Sequence, residues 1–402
     1  MLVEFRVQNF YSLRDEQLLS LVASKDRSLQ DSHTQASGIK AAPVLLRSTV
    51  IYGANASGKS NLIKALQAMR SQVMTPVTAI QPTPAFGIQP FALDSSSLQQ
   101  PTEFEVTFLF EGVRYQYGFA MGAQRVLSEY LLVYKAFKPQ RWFERHLDLN
   151  SGKDVYQFGP GLKGPKHIWE GATRPNALFL SVAVQLNSEA LRPVFQWFSQ
   201  QLVLINEQSP LNTEGLAQRL QQDRQRHVLC QLLAAADPSI LDIHLANAEP
   251  NQAPAVRFEH RTANGSRLFD WMDEAKGTRR LLALAGPVLD ALSNGQTLLI
   301  DELDSSLHTL LVRELVGLFH NAGLNPKGAQ LVFTSQDISL LEAEGLFRRD
   351  QIWLVKKDPE QASVLRALSE FSPRKQEALA RGYLMGRYGG LPSIKAAFGI
   401  TP

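Results

Sequence analysis

The sequence predicts an α/β fold, and three apolar runs that each end in polar residues carry the prediction. Ser48-Thr49-Val50-Ile51-Tyr52 leads into Gly53-Ala54-Asn55-Ala56-Ser57-Gly58-Lys59-Ser60 and then into a helical pattern, Asn61-Leu62-Ile63-Lys64-Ala65-Leu66. Strand, glycine-rich loop and helix in that order make a P-loop rather than an ordinary turn. The second run, Gln296 to Ile300, ends in Asp301-Glu302, and the third, Ala329 to Thr334, ends in Ser335-Gln336-Asp337. In open α/β sheets ligands gather beyond the carboxyl ends of the strands, where these polar residues would emerge.

The remaining elements follow from local pattern. Leu2-Val3-Glu4-Phe5-Arg6-Val7 alternates as a strand, turns through Gln8-Asn9-Phe10-Tyr11-Ser12, and meets a second short apolar segment at Leu18 to Ala23. Ser24 to Ala42 is polar and aperiodic and reads as a loop. The helix after the P-loop should run to about Met74, beyond which Pro76, Pro82, Pro84 and Pro90 break the pattern. Thr102 to Phe110 and Val113 to Ala120 flank Glu111-Gly112 as hairpin arms, half-buried because apolar and polar residues alternate. Glu129 to Tyr134 is another strand pattern, and Gly159 to Pro165 is a loop. From Asn176 to Ala236 the period turns helical, with Leu178, Leu180, Val184, Leu191, Val194 and Trp197 at helix spacings before Pro210. This block sets the P-loop far from Asp301 for a compact nucleotide-binding domain, which implies an inserted subdomain. The expected division is 1–135, an N-terminal lobe with the P-loop and antiparallel strands; 136–250, a mainly helical insertion without sustained heptads; and 251–402, a C-terminal lobe.

Composition sets outer limits. With 402 residues, 44% of them hydrophobic, the chain can bury a large core. A formal charge of +3 is too small to demand a polyanionic partner. Arg224-Gln225-Arg226 and Arg279-Arg280 read as solvated helix faces or as local basic clusters that could meet nucleic acid. A single cysteine, Cys230, excludes an intramolecular disulfide and a Cys-x-x-Cys metal hook, and a reducing compartment fits. The start, Met1-Leu2-Val3-Glu4-Phe5-Arg6, shows no leader, and no apolar stretch approaches the length of a membrane span. A cytoplasmic protein with no membrane partner is expected.

The chemistry explains the residue types. Gly53 and Gly58 let successive backbone N–H groups, those of Asn55, Ala56 and Ser57 among them, wrap a polyphosphate, and the helix opened by Ser60 and Asn61 turns its positive end to the same anion. Lys59 would reach the β and γ phosphates, and Ser60 would hold Mg²⁺. Asp301 would help hold that metal, and Glu302 would orient and partly deprotonate the attacking water. Gln336 is either a sensor of the γ-phosphate or part of a plain strand-ending turn. Phosphoryl transfer to water needs mainly positioning and charge neutralisation, so this short inventory is sufficient.

With these pieces in order, the chain resembles the ABC-type ATPases of the SMC, Rad50 and RecF-like branch, and most closely the compact AAA15 group of stand-alone bacterial ATPases. The likeness is carried by Phe5-Arg6-Val7-Gln8-Asn9-Phe10-Tyr11-Ser12, by the P-loop continued with Asn61, by Glu274 to Leu282, by Asp301-Glu302-Leu303-Asp304-Ser305-Ser306-Leu307-His308, and by Gly382 to Pro392. The resemblance implies a bilobed ABC-type P-loop NTPase head with a helical insertion between the Walker A and Walker B elements, using ATP and Mg²⁺. It also implies a homodimer or higher homo-oligomer closed by ATP, in which Gly277 and Thr278 of one subunit reach the nucleotide of the other. Lys276-Gly277-Thr278 can equally be a loop and helix cap.

Two departures from the family pattern stand out. Ala275 replaces its usual serine and Gln336 its usual switch histidine, which together imply slow hydrolysis or weakened dimer coupling. Asp304 to His308 falls on the D-loop region that would cross the dimer interface, with His308 read as a structural or interface residue rather than a base. Gln89, before Pro90-Phe91, is the candidate Q-loop glutamine that would contact Mg²⁺ and the attacking water, although a proline-rich turn also explains that segment. The stretch after Gln336 has no spaced acidic cluster in strand context, so a fused metal-dependent nuclease is not expected and nucleic-acid cleavage would fall to a separate protein. Arg387-Tyr388-Gly389-Gly390 could dock such a partner or tie down the C-terminus. The implied function is an ATP-hydrolysing ATPase that regulates a separate effector, a nuclease or toxin, in bacterial phage defence. The alternatives are a slowly or non-hydrolysing nucleotide-bound scaffold, and a DNA-repair ATPase acting on duplex ends.

Overall fold

The computed structural model describes residues 1–40, 42–75, 88–135, 138–206, 209, 211–246, 255–371 and 379–389. The proline-rich run at 76–84 and residues 390–392 lie outside them. The strands in chain order are β1 (Leu2–Gln8), β2 (Gln17–Ser20), β3 (Thr34–Ala36), β4 (Val44–Leu46), β5 (Ser48–Gly53), β6 (Thr102–Phe110), β7 (Val113–Met121), β8 (Val126–Tyr134), β9 (Gln140–Leu147), β10 (Asp154–Phe158), β11 (Leu202–Ile205), β12 (Ile240–Ala246), β13 (Ala255–Thr262), β14 (Gly265–Asp270), β15 (Thr297–Ile300), β16 (Gln330–Thr334), β17 (Ile352–Lys357) and β18 (Ser363–Ala367). Among the described residues they form an antiparallel sheet in the order β10-β9-β8-β7-β6-β1-β2, a second sheet in the order β11-β15-β16-β5-β17-β18, a β12-β13-β14 sheet and a β3-β4 pair. In the second sheet β11, β15, β16, β5 and β17 run parallel, and β18 returns antiparallel at the edge. The α/β expectation is met.

The P-loop helix, Lys59–Met74, ends where its pattern placed it. Its buried residues Leu62, Ile63, Leu66, Met69 and Val73 share one core with Phe5, Val106 and Phe108 of the antiparallel sheet and with Ile51, Leu299 and Val332 of the parallel one. The opposite face of the parallel strands, Val50, Tyr52, Leu298, Ile300, Leu331 and Phe333, joins a second core with Leu281, Leu284 and Val288 of the helix Lys276–Asn294 and Val312, Leu315 and Phe319 of the helix Thr309–His320. A parallel sheet covered on both faces requires apolar residues in continuous runs, which is why these strands read so plainly.

The interval 136–250, expected as a helical insertion, is divided between the sheets. Helices Phe179–Gln185, Thr213–Leu220 and Asp223–Ala236 do lie there. However, β9 and β10 extend the antiparallel sheet beyond β8, and β11 becomes the outer parallel strand beside β15. The physical reason is pairing: β8 offers β9 an open antiparallel edge, so β9 and β10 join the sheet that β8 belongs to. The loop expected at 24–42 holds a helical turn, Gln30–His33, and β3, and the strands β12 to β14, β17 and β18 add elements that local pattern had not marked.

Candidate functional site

The site begins where β5 ends. Gly53 leaves the sheet so close to β17 that a Cβ there would lie 2.5 Å from the Val355 carbonyl oxygen. Gly58 turns at φ 106° and Ala56 at φ 62°, both in the left-handed region that lets successive N–H groups converge on one point. Asn55 and Ala56 are exposed, whereas Ser57 and Lys59 are buried. Lys59 Nζ donates to the carbonyls of Gly53 at 2.6 Å and Ala54 at 3.1 Å. Burial pushes this ammonium below the usual lysine range, against the opposing pull of Glu302, Asp301 and Asp304.

The two acids stand at the end of β15, which is not adjacent to β5; β16 lies between them. The last residue of β16, Thr334, bridges the gap. Its Oγ1 donates to Asp301 Oδ1 at 2.7 Å and accepts from the Glu302 N–H at 2.7 Å. Ser60 Oγ donates to the same Asp301 oxygen at 3.0 Å, joining P-loop and acid across 241 positions of sequence. The Asp301 N–H donates to the Ile205 carbonyl at 3.1 Å, so β11 supports the acid from its other side. Glu302 takes φ 53°, a conformation that costs a non-glycine residue energy and that the Thr334 bond holds in place. Gln336 Nε2 lies 3.5 Å from Glu302 Oε1, and the N–H groups of Gln336 and Asp337 both donate to Asp304 Oδ2 at 3.0 Å.

A cavity of about 390 Å³ opens over these groups, lined by the P-loop, Ser12, Asn61, Glu302 and Gln336. That volume is in the range of small-ligand sites. The Ser60 hydroxyl and the Asp301 carboxylate are oxygen donors of the hard type that Mg²⁺ prefers, so the residues present fit that metal.

Other expected residues lie elsewhere. Gln89 is exposed and does not line the cavity; its carbonyl accepts from the Tyr11 N–H at 2.7 Å. Gly277 and Thr278 open the helix Lys276–Asn294 and do not line the cavity either. A Cβ on Gly277 would lie 2.8 Å from the Ser306 carbonyl oxygen, so glycine permits a close approach to the turn after Asp304. Thr278 is buried within its own chain. His308 caps the helix Thr309–His320, its Nδ1 accepting from the Leu310 N–H at 3.2 Å. Sequence reasoning gave Asp304 a D-loop role only and did not single out Thr334, Ser12 or Ser363 as site residues; Ser12 lay in a stretch that carried the family likeness, and Thr334 ended the β16 run. A separate trio, Asp242, His244 and Glu259, places ligand-type atoms within 4.8 Å of one another. Arg226 already engages both Asp242 oxygens while His244 and Ser266 engage Glu259, so the carboxylate oxygens of that trio are already partnered.

A family model described as "AAA domain, putative AbiEii toxin, Type IV TA system" matches residues 48–342. The chain belongs to this AAA-domain family. The matched span takes in β5, the P-loop, Asp301, Glu302, Thr334 and Gln336, so among the described residues this AAA-type ATPase domain comprises every residue that lines the cavity except Ser12. Among solved structures, the SMC head domain from Thermotoga maritima is 12% identical, with 91% of this chain and 98% of that chain covered at a TM-score of 0.41. An SMC head bound to the C-terminal winged-helix domain of ScpA is 14% identical, with 91% and 97% covered at 0.41. An Smc head with an extended coiled coil, bound to the C-terminal domain of ScpA from Pyrococcus furiosus, is 12% identical, with 92% and 97% covered at 0.43. No curated protein sequence matches the chain. Among the described residues, no helix of this AAA-domain protein is long and apolar enough to cross a membrane.

Proposed function

We propose that this AAA-type domain is an ABC-type, Mg²⁺-dependent ATPase of the compact AAA15 kind that binds ATP in the cavity over Lys59 and closes a homodimer around it. The observation that supports this reading is the Ser60–Asp301 hydrogen bond, in which the loop hydroxyl and the strand-end carboxylate that would share a metal lie 3.0 Å apart. Lys59 would exchange the carbonyls of Gly53 and Ala54 for phosphate oxygens, and the amides of Asn55 to Gly58, with those of Lys59 to Asn61, would surround the same charge. Mg²⁺, held by Ser60 and Asp301, would supply charge neutralisation. Glu302, fixed by Thr334, would orient a water and take its proton.

Across the dimer, Gly277 would offer backbone N–H groups from the start of its helix; because the Thr278 side chain is buried, its contribution would come from the main chain. Gln89 would enter only on closure, since it stands away from the cavity. In the cell, the cytoplasmic homodimer would restrain a separate effector, a nuclease or toxin, in a bacterial defence module. The family description names a type IV TA system, a two-component setting, and gives the toxin label to the matched domain itself.

Binding of a fluorescent ATP analogue and release of phosphate by the purified protein test this reading. Lys59→Ala should abolish binding, and Glu302→Gln should keep binding while lowering phosphate release by roughly 100-fold or more, the contribution of a general base. A wild-type protein that takes up no ATP would sink it. A second reading has its own support: Gln336, whose amide cannot exchange a proton as a histidine does, stands beside Glu302, as in a slowly hydrolysing scaffold. Wild-type turnover no faster than Glu302→Gln, with ATP binding intact, would favour the scaffold.

A further inference from the structure

Ser12 and Ser363 come from opposite ends of the chain and meet beside the P-loop. Ser12 lies in the turn between β1 and β2, where Asn9 and Tyr11 take φ 52° and 48°. Ser363 is the first residue of β18. Their backbones are joined by the Ser363 N–H donating to the Ser12 carbonyl at 2.6 Å, and their hydroxyl oxygens are 2.7 Å apart.

The protons in this contact have one possible arrangement. Ser363 Oγ donates its single proton to the Ser57 carbonyl at 2.5 Å, so it must accept from Ser12 Oγ. Ser12, having given its proton, accepts from Asn61 Nδ2 at 2.7 Å. A one-way chain therefore runs Asn61 to Ser12 to Ser363 to Ser57, leaving the first turn of the P-loop helix and returning to the loop itself. It encloses Gly58, where a Cβ would overlap the Ser363 hydroxyl and lie 2.6 Å from that of Ser12. Glycine is required at that position for the chain as well as for φ.

We propose that Ser12 and Ser363 are positioning residues that hold the P-loop in its phosphate-accepting shape, an inference that rests on the ATP reading of the same cavity. Without the chain, the Ser57 carbonyl loses its partner and the Ser57–Gly58 peptide is free to rotate, which would swing the neighbouring N–H away from the anion. Neither serine belongs to the strand–loop–helix unit that carries the P-loop, so the clasp ties that unit to the antiparallel sheet on one side and to β18 on the other. Tyr11, next to Ser12, is bonded to the Gln89 carbonyl, so the segment bearing that glutamine shares the anchor.

The test uses Ser12→Ala, Ser363→Ala and the double variant of the full chain. Binding of mant-ATP and amide hydrogen exchange of the nucleotide-free protein are the readouts, with the urea midpoint as a check on folding. Each single change should weaken mant-ATP binding and accelerate exchange at residues 54–60 about five-fold, the ratio expected for loss of one internal hydrogen bond. The double variant should be no worse than the more affected single one, because either change severs the same chain. Unchanged exchange and affinity in both singles, or a double effect equal to the product of two independent losses, would overturn the clasp. If the wild-type protein binds no mant-ATP, the ATP reading fails, while faster exchange confined to residues 54–60 still decides for the clasp and its absence against it.

Discussion

A hydroxyl that donates to one acid and accepts from the backbone of the next cannot be exchanged for a methyl without loss. Thr334 is fully buried, so Thr334→Val keeps the shape but leaves the Glu302 N–H unpaired and removes one of the donors on Asp301 Oδ1. The unpaired group should cost about 1–3 kcal/mol of stability. Phosphate release should fall further than ATP affinity, because Glu302 loses the bond that fixes its φ of 53°; urea unfolding and single-turnover phosphate release check the two parts. At this scale the sequence was legible where the partners are neighbours. The P-loop glycines, Lys59 and Ser60 announce themselves in one short stretch. Thr334, Ser12 and Ser363 do not, since a lone hydroxyl takes its meaning from partners 33 and 351 positions away.

Between elements, the contact of the Gln30–His33 turn with the helix Thr309–His320 makes the fold sensitive to acid. The rings of His33 and His320 stack with centroids 3.8 Å apart, and His320 Nε2 lies 2.8 Å from Ser48 Oγ at the start of β5. Burial lowers the pKa of both rings, most strongly that of His320, where His33 and Arg47 add to the effect. The unfolded chain takes up these protons near pH 6.5, and the folded one resists them to lower pH. The contribution of the pair to stability is therefore complete above about pH 6.5 and is lost as the pH drops below it. The urea midpoint should decline between pH 7 and pH 5, and the decline should flatten in His33→Gln/His320→Gln; an equal slope in that variant would contradict the assignment. The short turn that places His33 was hidden in a polar, aperiodic stretch. β11 was hidden for a different reason: Leu202-Val203-Leu204-Ile205 is apolar throughout, fits helix and buried strand alike, and follows helices. β17 and β18 gave no motif to mark them, although β17 forms one wall of the P-loop through the Val355 carbonyl.

For the molecule as a whole, the prediction concerns assembly. If ATP closes two copies, Glu302→Gln with ATP and Mg²⁺ should migrate at twice the mass it shows without nucleotide, as read by light scattering after size exclusion. A monomer indifferent to nucleotide would remove the dimer from the proposal while leaving the site intact. The α/β class was legible because both faces of the parallel sheet are covered, but the division of 136–250 between two sheets was not, because it depends on which edges β8 and β15 leave open. The order of strands in that sheet has a temporal consequence as well. β5 is made early, yet its immediate neighbours are β16 and β17, drawn from the last third of the sequence. While the ribosome is still translating the middle of the message, β5 has both edges bare and its loop faces no acid. A nascent chain at that stage would be a client for chaperones, and would complete the proposed ATP site only after β15 to β18 had emerged from the exit tunnel.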